Sequence, residues 1–197
     1  MIPNTPITRQ ATALMERLER EPQHVRHVTL WSIFLFEKLA SLHQLSKQEL
    51  ELLVAGSLLH DIGWSTATEE RAHHKESARL IREHTWKDLS HSQTDFIALL
   101  ARYHRKSIPS PTHRRYVNLP KTKKNHLHFL AGILRVADAL DRSHRQSLHP
   151  ADLEIRPGVC LIHITGKDTG EAQFGIERKG DLFQQAFGRQ PFLKPLS

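Results

Sequence analysis

Apolar residues in the first three quarters of the chain recur mostly at helical spacing. Ala11, Leu14 and Leu18 predict a helix over residues 8–21, stopped by Pro22. A second helix is expected over 23–43, with a stripe of His24, Val28, Trp31 and Leu35. Ile33, Phe34, Phe36 and Leu39 widen that stripe, and a helix apolar over so much of its circumference is largely buried. His24 lies in line with Val28 and points inward, while His27 falls on the flank. Ser46 followed by Glu49 is a capping box that opens a third helix running to His60, and Gly63 reads as the glycine past its end. Residues 64–72 are polar and predict a loop. His73 to Ile81 begins a further short helix. Ser90 or Ser92 caps the next, which carries Phe96, Ile97, Leu99, Leu100 and Tyr103 and ends near His104.

Residues 105–125 break the pattern: basic residues alternate with prolines and no acid occurs, so this stretch predicts a basic loop. Helical spacing returns over His126–Arg142 through Leu127, Leu130, Leu134, Val136 and Leu140. From Asp152 the period shortens to two. Leu153–Arg156 and Val159–Thr165 predict strands around a Pro157-Gly158 turn, with Gly166 to Gly170 a second turn and Ala172–Glu177 a weaker strand. Leu182–Phe187 reads as a short helix ended by Gly188. The expected fold is mainly α, a helical bundle with a small antiparallel strand pair near the C-terminus. Residues 1–150 form the helical part, and 151–197 a short β appendage packed on it within the same domain.

Composition narrows the function classes. A chain of 197 residues with 39% hydrophobic and 25% charged residues fits one soluble globular domain. No apolar run approaches the ~20 residues of a membrane helix, so no membrane partner is expected. Met1 to Pro6 lacks the basic-then-apolar order of a signal peptide, and Cys160 has no second cysteine to pair with, so a cytoplasmic location is expected. The net charge of +7 suits a polyanionic partner. Trp and Tyr are few, which gives a base-stacking nucleic-acid surface little support. No P-loop, dinucleotide fingerprint or Ser-His-Asp nucleophile pattern occurs.

The inward polar residues at helix ends carry the candidate chemistry. They are His24, the adjacent His60 and Asp61, His73 or His74, His104 and Asp138. Imidazole and carboxylate suit Fe, Mn, Co or Zn. Six such side chains exceed one tetrahedral site, so one or two divalent ions are expected. Two ions roughly 3.5–4 Å apart can hold a hydroxide and clamp a phosphoryl oxygen. Asp61, next to a His ligand, is the natural bridge. Arg105 and Lys106 follow His104 directly and are candidates to neutralise phosphate oxygens, with Arg142 extending that wall. His104 has a plainer reading as a charge on a helix C-terminus. Asp141 and His144 read as a second layer or surface rather than ligands.

The His…His-Asp…Asp pattern, with the tetrad His60-Asp61-Ile62-Gly63, resembles the HD-domain superfamily of metal-dependent phosphohydrolases. The resemblance implies metal ligation by His24, His60, Asp61 and Asp138, with His73 and His104 as in the longer two-metal version. It favours His73 over His74, because Ser77 is the small residue four after the ligand. His74 is then left as a substrate-binding candidate. Ala72–Ser77, Ala101–Lys106 and Leu134–His144 look like the C-terminal HD domain of the exopolyphosphatase/guanosine pentaphosphatase family. That family's N-terminal ATPase-like domains, which carry its exopolyphosphatase chemistry, have no counterpart in these residues. The expectation is hydrolysis of a phosphate ester or anhydride by metal-bound hydroxide, with Asp61, Arg105 and Lys106 as catalytic groups. The partner would be a phosphorylated small molecule or polyphosphate, and a homodimer is compatible. Two other readings stand beside it: a non-catalytic polyphosphate- or nucleotide-binding module, and a di-iron oxygenase of HD type.

Overall fold

The computed structural model describes residues 1–68, 72–167 and 169–196. In chain order the helices are α1 (Pro6–Leu18), α2 (Pro22–Lys38), the single turn α3 (Ala40–His43) and α4 (Lys47–Leu59). A 3-10 turn (Ile62–Ser65) leads to α5 (His73–Glu83), α6 (His91–Tyr103), the short α7 (Arg114–Val117) and α8 (Lys121–Leu140). Strands β1 (Leu148–Arg156) and β2 (Val159–Gly166) follow, then α9 (Thr169–Lys179), α10 (Asp181–Phe187) and β3 (Gln190–Pro195). The fold is mainly α, as the spacing predicts.

Helix α4 is the centre. Leu52, Leu53, Val54, Ala55, Leu58 and Leu59 are buried all around it, so its apolar run meets protein on every side. Ser46 caps it as the capping box predicts: its side chain accepts from Gln48 N–H at 3.2 Å, and Glu49 accepts from Ser46 N–H at 3.2 Å. A Cβ on Gly56 would lie 2.9 Å from the Leu100 side chain, so glycine lets α4 and α6 approach closely. Between α2 and α4 the buried Ser57 hydroxyl donates to Ser32 Oγ at 3.0 Å, which satisfies two polar groups inside the bundle. Among the described residues no helix is long and apolar enough to cross a membrane.

Several boundaries differ from the spacing-based expectation. The stretch 23–43 is two helices, because Leu39 breaks the α geometry between α2 and α3. Helix α8 starts at Lys121, not His126, with Pro120 at its N-cap, and α7 interrupts the expected basic loop. Of the polar stretch 64–72, residues 69–71 lie outside the described residues. The predicted strand 172–177 is α9: Ala172, Gly175 and Ile176 are buried at helical spacing while Phe174 faces out. The strand pair is joined by a third strand. β1 and β2 are antiparallel, with Leu153 opposite Ile162, and β3 lies parallel to β2 with Leu193 beside Ile162. Pro191 and Pro195 are tolerated in β3 because it is an edge strand.

Candidate metal centre

The C-terminal ends of α4, α6 and α8 and the starts of α2 and α5 converge on one buried point. Helix α4 stops at Leu59, so His60 and Asp61 leave its last turn and enter the cluster together. Gly63 is not the glycine cap the sequence suggests. It sits in the 3-10 turn, and a Cβ there would lie 2.0 Å from His73 O and 2.4 Å from Ser77 N. The backbone of the turn thus rests directly on the start of α5. Gly63 N–H donates to the buried Ser77 Oγ at 2.9 Å, which fixes Asp61 and His73 relative to each other.

Three imidazoles are held by Nδ1. His60 Nδ1 is 2.7 Å from Ser57 O and His104 Nδ1 is 2.7 Å from Ala101 O. A carbonyl only accepts, so Nδ1 carries a hydrogen in both rings and Nε2 is the nitrogen turned inward. His24 Nδ1 instead meets the carboxylate of Asp141 at 2.8 Å. Such outer partners fix ring orientation and raise the basicity of a ligating nitrogen.

The inward atoms lie close together. His24 Nε2 is 3.7 Å and His60 Nε2 is 4.0 Å from Asp138 Oδ1. Asp61 turns Oδ2 towards His60 Nε2 at 3.7 Å, and Oδ1 towards His73 Nε2 and His104 Nε2, both at 3.4 Å. His24, His60 and Asp138 form one group with metal-binding spacing, and His60, Asp61 and His104 another. Among the described residues, His24 Nε2, His60 Nε2 and Asp61 Oδ1 are buried with no hydrogen-bond partner. Buried polar atoms left unpaired are costly, and these three belong to the two groups that share His60.

The charges are tuned accordingly. Burial disfavours the His24 imidazolium, but Asp138 and Asp141 more than offset this and push the group up to about 10. Burial would raise Asp138, yet Lys179 and then His24 hold it well below the usual carboxylate range. Burial drives His104 well below the usual imidazole range despite Asp61. His73 is lowered to about 4 by burial, aided by the Arg105 guanidinium, and His74 to about 3 by burial and Arg102.

The second ring of predicted residues divides. Arg105 Nη1 donates to His73 Nε2 at 3.2 Å, so the lone pair of His73 is engaged by that guanidinium. Arg105 and Lys106 line a cavity of about 190 Å³ with Trp64, His73 and His74. Arg142 goes elsewhere: its guanidinium stacks over Phe174 of α9, 5.3 Å from the ring centroid. A second cavity of about 310 Å³ opens on Asp61 between Glu19, Glu21, Trp64 and His144. His144 stacks on His24 with ring centroids 3.8 Å apart, and Trp64 stacks on His73 at 4.0 Å.

The spacing arguments miss Glu19, Trp64 and Lys179. A large aromatic in a polar stretch just after the tetrad was a usable signal for Trp64. Lys179, which donates to Asp138 Oδ2, had none, because it lies just past Ala172–Glu177, which read as a strand.

The family model described as Ppx/GppA phosphatase, domain III, matches residues 8–164. No curated protein matches. The matched residues take in α1 to α8 and therefore His24, His60, Asp61, His73, His104 and Asp138, while α9, α10 and β3 lie beyond them. The chain therefore belongs to the Ppx/GppA phosphatase family, by way of that family's domain III.

Proposed function

We propose that this domain is a metal-dependent phosphohydrolase of HD type, acting on a phosphate ester or anhydride such as a nucleotide or a polyphosphate-like chain. One observation carries the reading: two groups of buried side chains that share His60, His24–His60–Asp138 and His60–Asp61–His104, each bring their ligand atoms within 4.8 Å of one another, and His24 Nε2, His60 Nε2 and Asp61 Oδ1 have no hydrogen-bond partner among the described residues. Imidazole and carboxylate fit Fe, Mn, Co or Zn, so the donor set suits such an ion. His24, His60 and Asp138 would hold one ion. His60 Nε2 has a single lone pair, so a second ion would rely on Asp61, His104 and His73. A divalent cation there supplies Lewis-acid polarisation of a phosphoryl oxygen and activation of water at neutral pH.

The chain's own residues do the rest. Arg105 and Lys106 donate to phosphate oxygens from the cavity beside His73, Arg105 as a fork and Lys106 as a point charge. In turning to phosphate, Arg105 leaves His73 Nε2 free to act as a ligand. His74, neutral at physiological pH, offers that phosphate a hydrogen bond rather than a charge. Asp141 keeps the His24 ring oriented through Nδ1.

A second reading, a module that binds phosphate chains without hydrolysing them, is favoured by one observation: the family match is to a single domain of that family. Phosphate or nucleoside release from a panel of nucleotides, cyclic dinucleotides and polyphosphate, with added Mn²⁺, separates the two. The hydrolase reading expects turnover that a chelator stops and that falls at least about a hundredfold in Asp61→Ala. Binding without turnover across the panel would leave the module.

The pH dependence has a definite sign. The folded His24 group, at about 10, lies above the ordinary imidazole value, so the ion-free centre keeps this proton from acid pH up to about 10. An ion must displace it. Metal affinity is therefore expected to rise about tenfold per pH unit between roughly pH 6.5 and 9, with one proton released per ion. Calorimetry in buffers of different ionisation enthalpy measures that proton. A flat affinity across this range would contradict the assignment of His24.

A further inference from the structure

Helix α9 lies beyond the residues the family model covers, yet it reaches into the centre. Lys179 Nζ donates to Asp138 Oδ2, while the other carboxylate oxygen, Oδ1, faces His24 and His60. The two oxygens of one buried carboxylate thus point to different partners.

The lysine is held in place by several independent contacts. Its side chain is only 19% exposed. Its carbonyl accepts from Arg135 Nε at 2.8 Å, and Arg135 also donates to Asp181 Oδ1 at 2.8 Å and to Tyr103 O, next to His104, at 3.2 Å. One turn earlier, Gly175 lets α9 lie against α8: a Cβ there would be 3.1 Å from both Ala139 Cβ and Ala139 O, beside Asp138.

We propose that Lys179 is the resident counter-cation of the metal centre: it balances Asp138 in the ion-free protein and leaves only Oδ1 of that carboxylate for an ion. The proposal rests on the metal reading given above. The His24 imidazolium lies between two buried carboxylates, Asp138 and Asp141, and cannot neutralise both, so Lys179 supplies the second cation and stabilises the ion-free state. In a poorly screened interior the same ammonium repels an incoming cation. It therefore lets the domain fold before metal arrives, at the cost of affinity for that metal.

The test is thermal melting and calorimetric Mn²⁺ titration of the full chain as wild type, Lys179→Met and Lys179→Arg. Without metal, Lys179→Met is expected to melt roughly 5 °C or more below wild type. It is also expected to bind Mn²⁺ about tenfold tighter or more. Lys179→Arg, which keeps the charge, should stay near wild type in both. Recovery of folded Lys179→Met only in the presence of Mn²⁺ is the extreme form of the expected result. Mn²⁺ binding by Lys179→Met equal to or weaker than wild type overturns the proposal. A metal-free double-mutant cycle with Asp138→Asn separates this from the metal reading. The lysine substitution should cost much less when Asp138 is already neutral, and additive effects overturn the pairing. A wild type that takes up no Mn²⁺ sinks the metal centre itself, while the cycle still decides whether Lys179 balances Asp138.

Discussion

Gly63→Ala is expected to destabilise the chain by about 3 kcal/mol or more and to pull Asp61 away from His73 and His104. The added Cβ would sit 2.0 Å from His73 O and 2.4 Å from Ser77 N. Both are backbone atoms, so no rotamer change relieves the clash. The 3-10 turn must lift off α5, and the hydrogen bond from Gly63 N–H to Ser77 Oγ goes with it. Asp61 lies two residues before Gly63, so the lift separates it from the histidines 3.4 Å away. Stability and function are coupled here because one glycine serves both. Urea unfolding gives the free energy, and Gly170→Ala is the control. Gly170 has nothing within 4 Å of a built Cβ, so its substitution is expected to stay within about 0.5 kcal/mol of wild type. Equal stability of the two variants would contradict the close approach of the turn to α5.

Arg135→Met is expected to cost about 3–5 kcal/mol and to lower the melting temperature by roughly 10 °C. Arg135 is 2% exposed on α8 and serves three segments of the chain. Its guanidinium donates to Lys179 O and Asp181 Oδ1, at the junction of α9 and α10, and to Tyr103 O at the end of α6. Methionine fills most of the volume but donates nothing, so buried carbonyls on two segments lose their partner, at about 1–3 kcal/mol each. Arg135→Lys should recover only part of the loss, because one ammonium cannot reproduce a planar fork reaching three acceptors. Differential scanning calorimetry separates the variants. A melting temperature within a degree or two of wild type for Arg135→Met would mean that the C-terminal helices are held by apolar packing alone.

The parts of the fold that local rules govern were legible in the sequence. The capping box at Ser46 set one helix start, Ser90, one of the two candidate caps, set another, and the Pro157-Gly158 turn, with Gly158 at φ 74°, set the hairpin. Helix α9 was not legible for a physical reason. Ala172, Phe174 and Ile176 alternate as in a strand, but Ala172 and Ile176 also share one helical face, and six residues do not separate the two periods. What decides is tertiary: Gly175 packs against Ala139, and Phe174 is left outside under Arg142. That stacking also takes Arg142 away from the place expected for it. The start of α8 was hidden because Lys121–Asn125 has no apolar stripe, and its helix is carried by residues further along.

The candidate site was legible as a set of residue types at helix ends but not as a layered structure. His24, His60, Asp61, His104 and Asp138 converge as their inward placement implied, with His73 beside them and His74 in the adjoining cavity. The layer around them depends on long-range pairs. His24 with Asp141 and Lys179 with Asp138 join segments far apart in the chain, and no local period announces such pairs.

Metal uptake by the purified, chelator-stripped wild-type chain, set beside Asp61→Ala and His60→Ala, tests the central claim most directly. Titration with Mn²⁺ or Zn²⁺, followed by elemental analysis of the gel-filtered protein, reads the bound ions per chain. The account predicts one or two tightly held ions in the wild type and loss of at least one in each variant. A wild type that retains no ion, or variants that retain as much as the wild type, would contradict it.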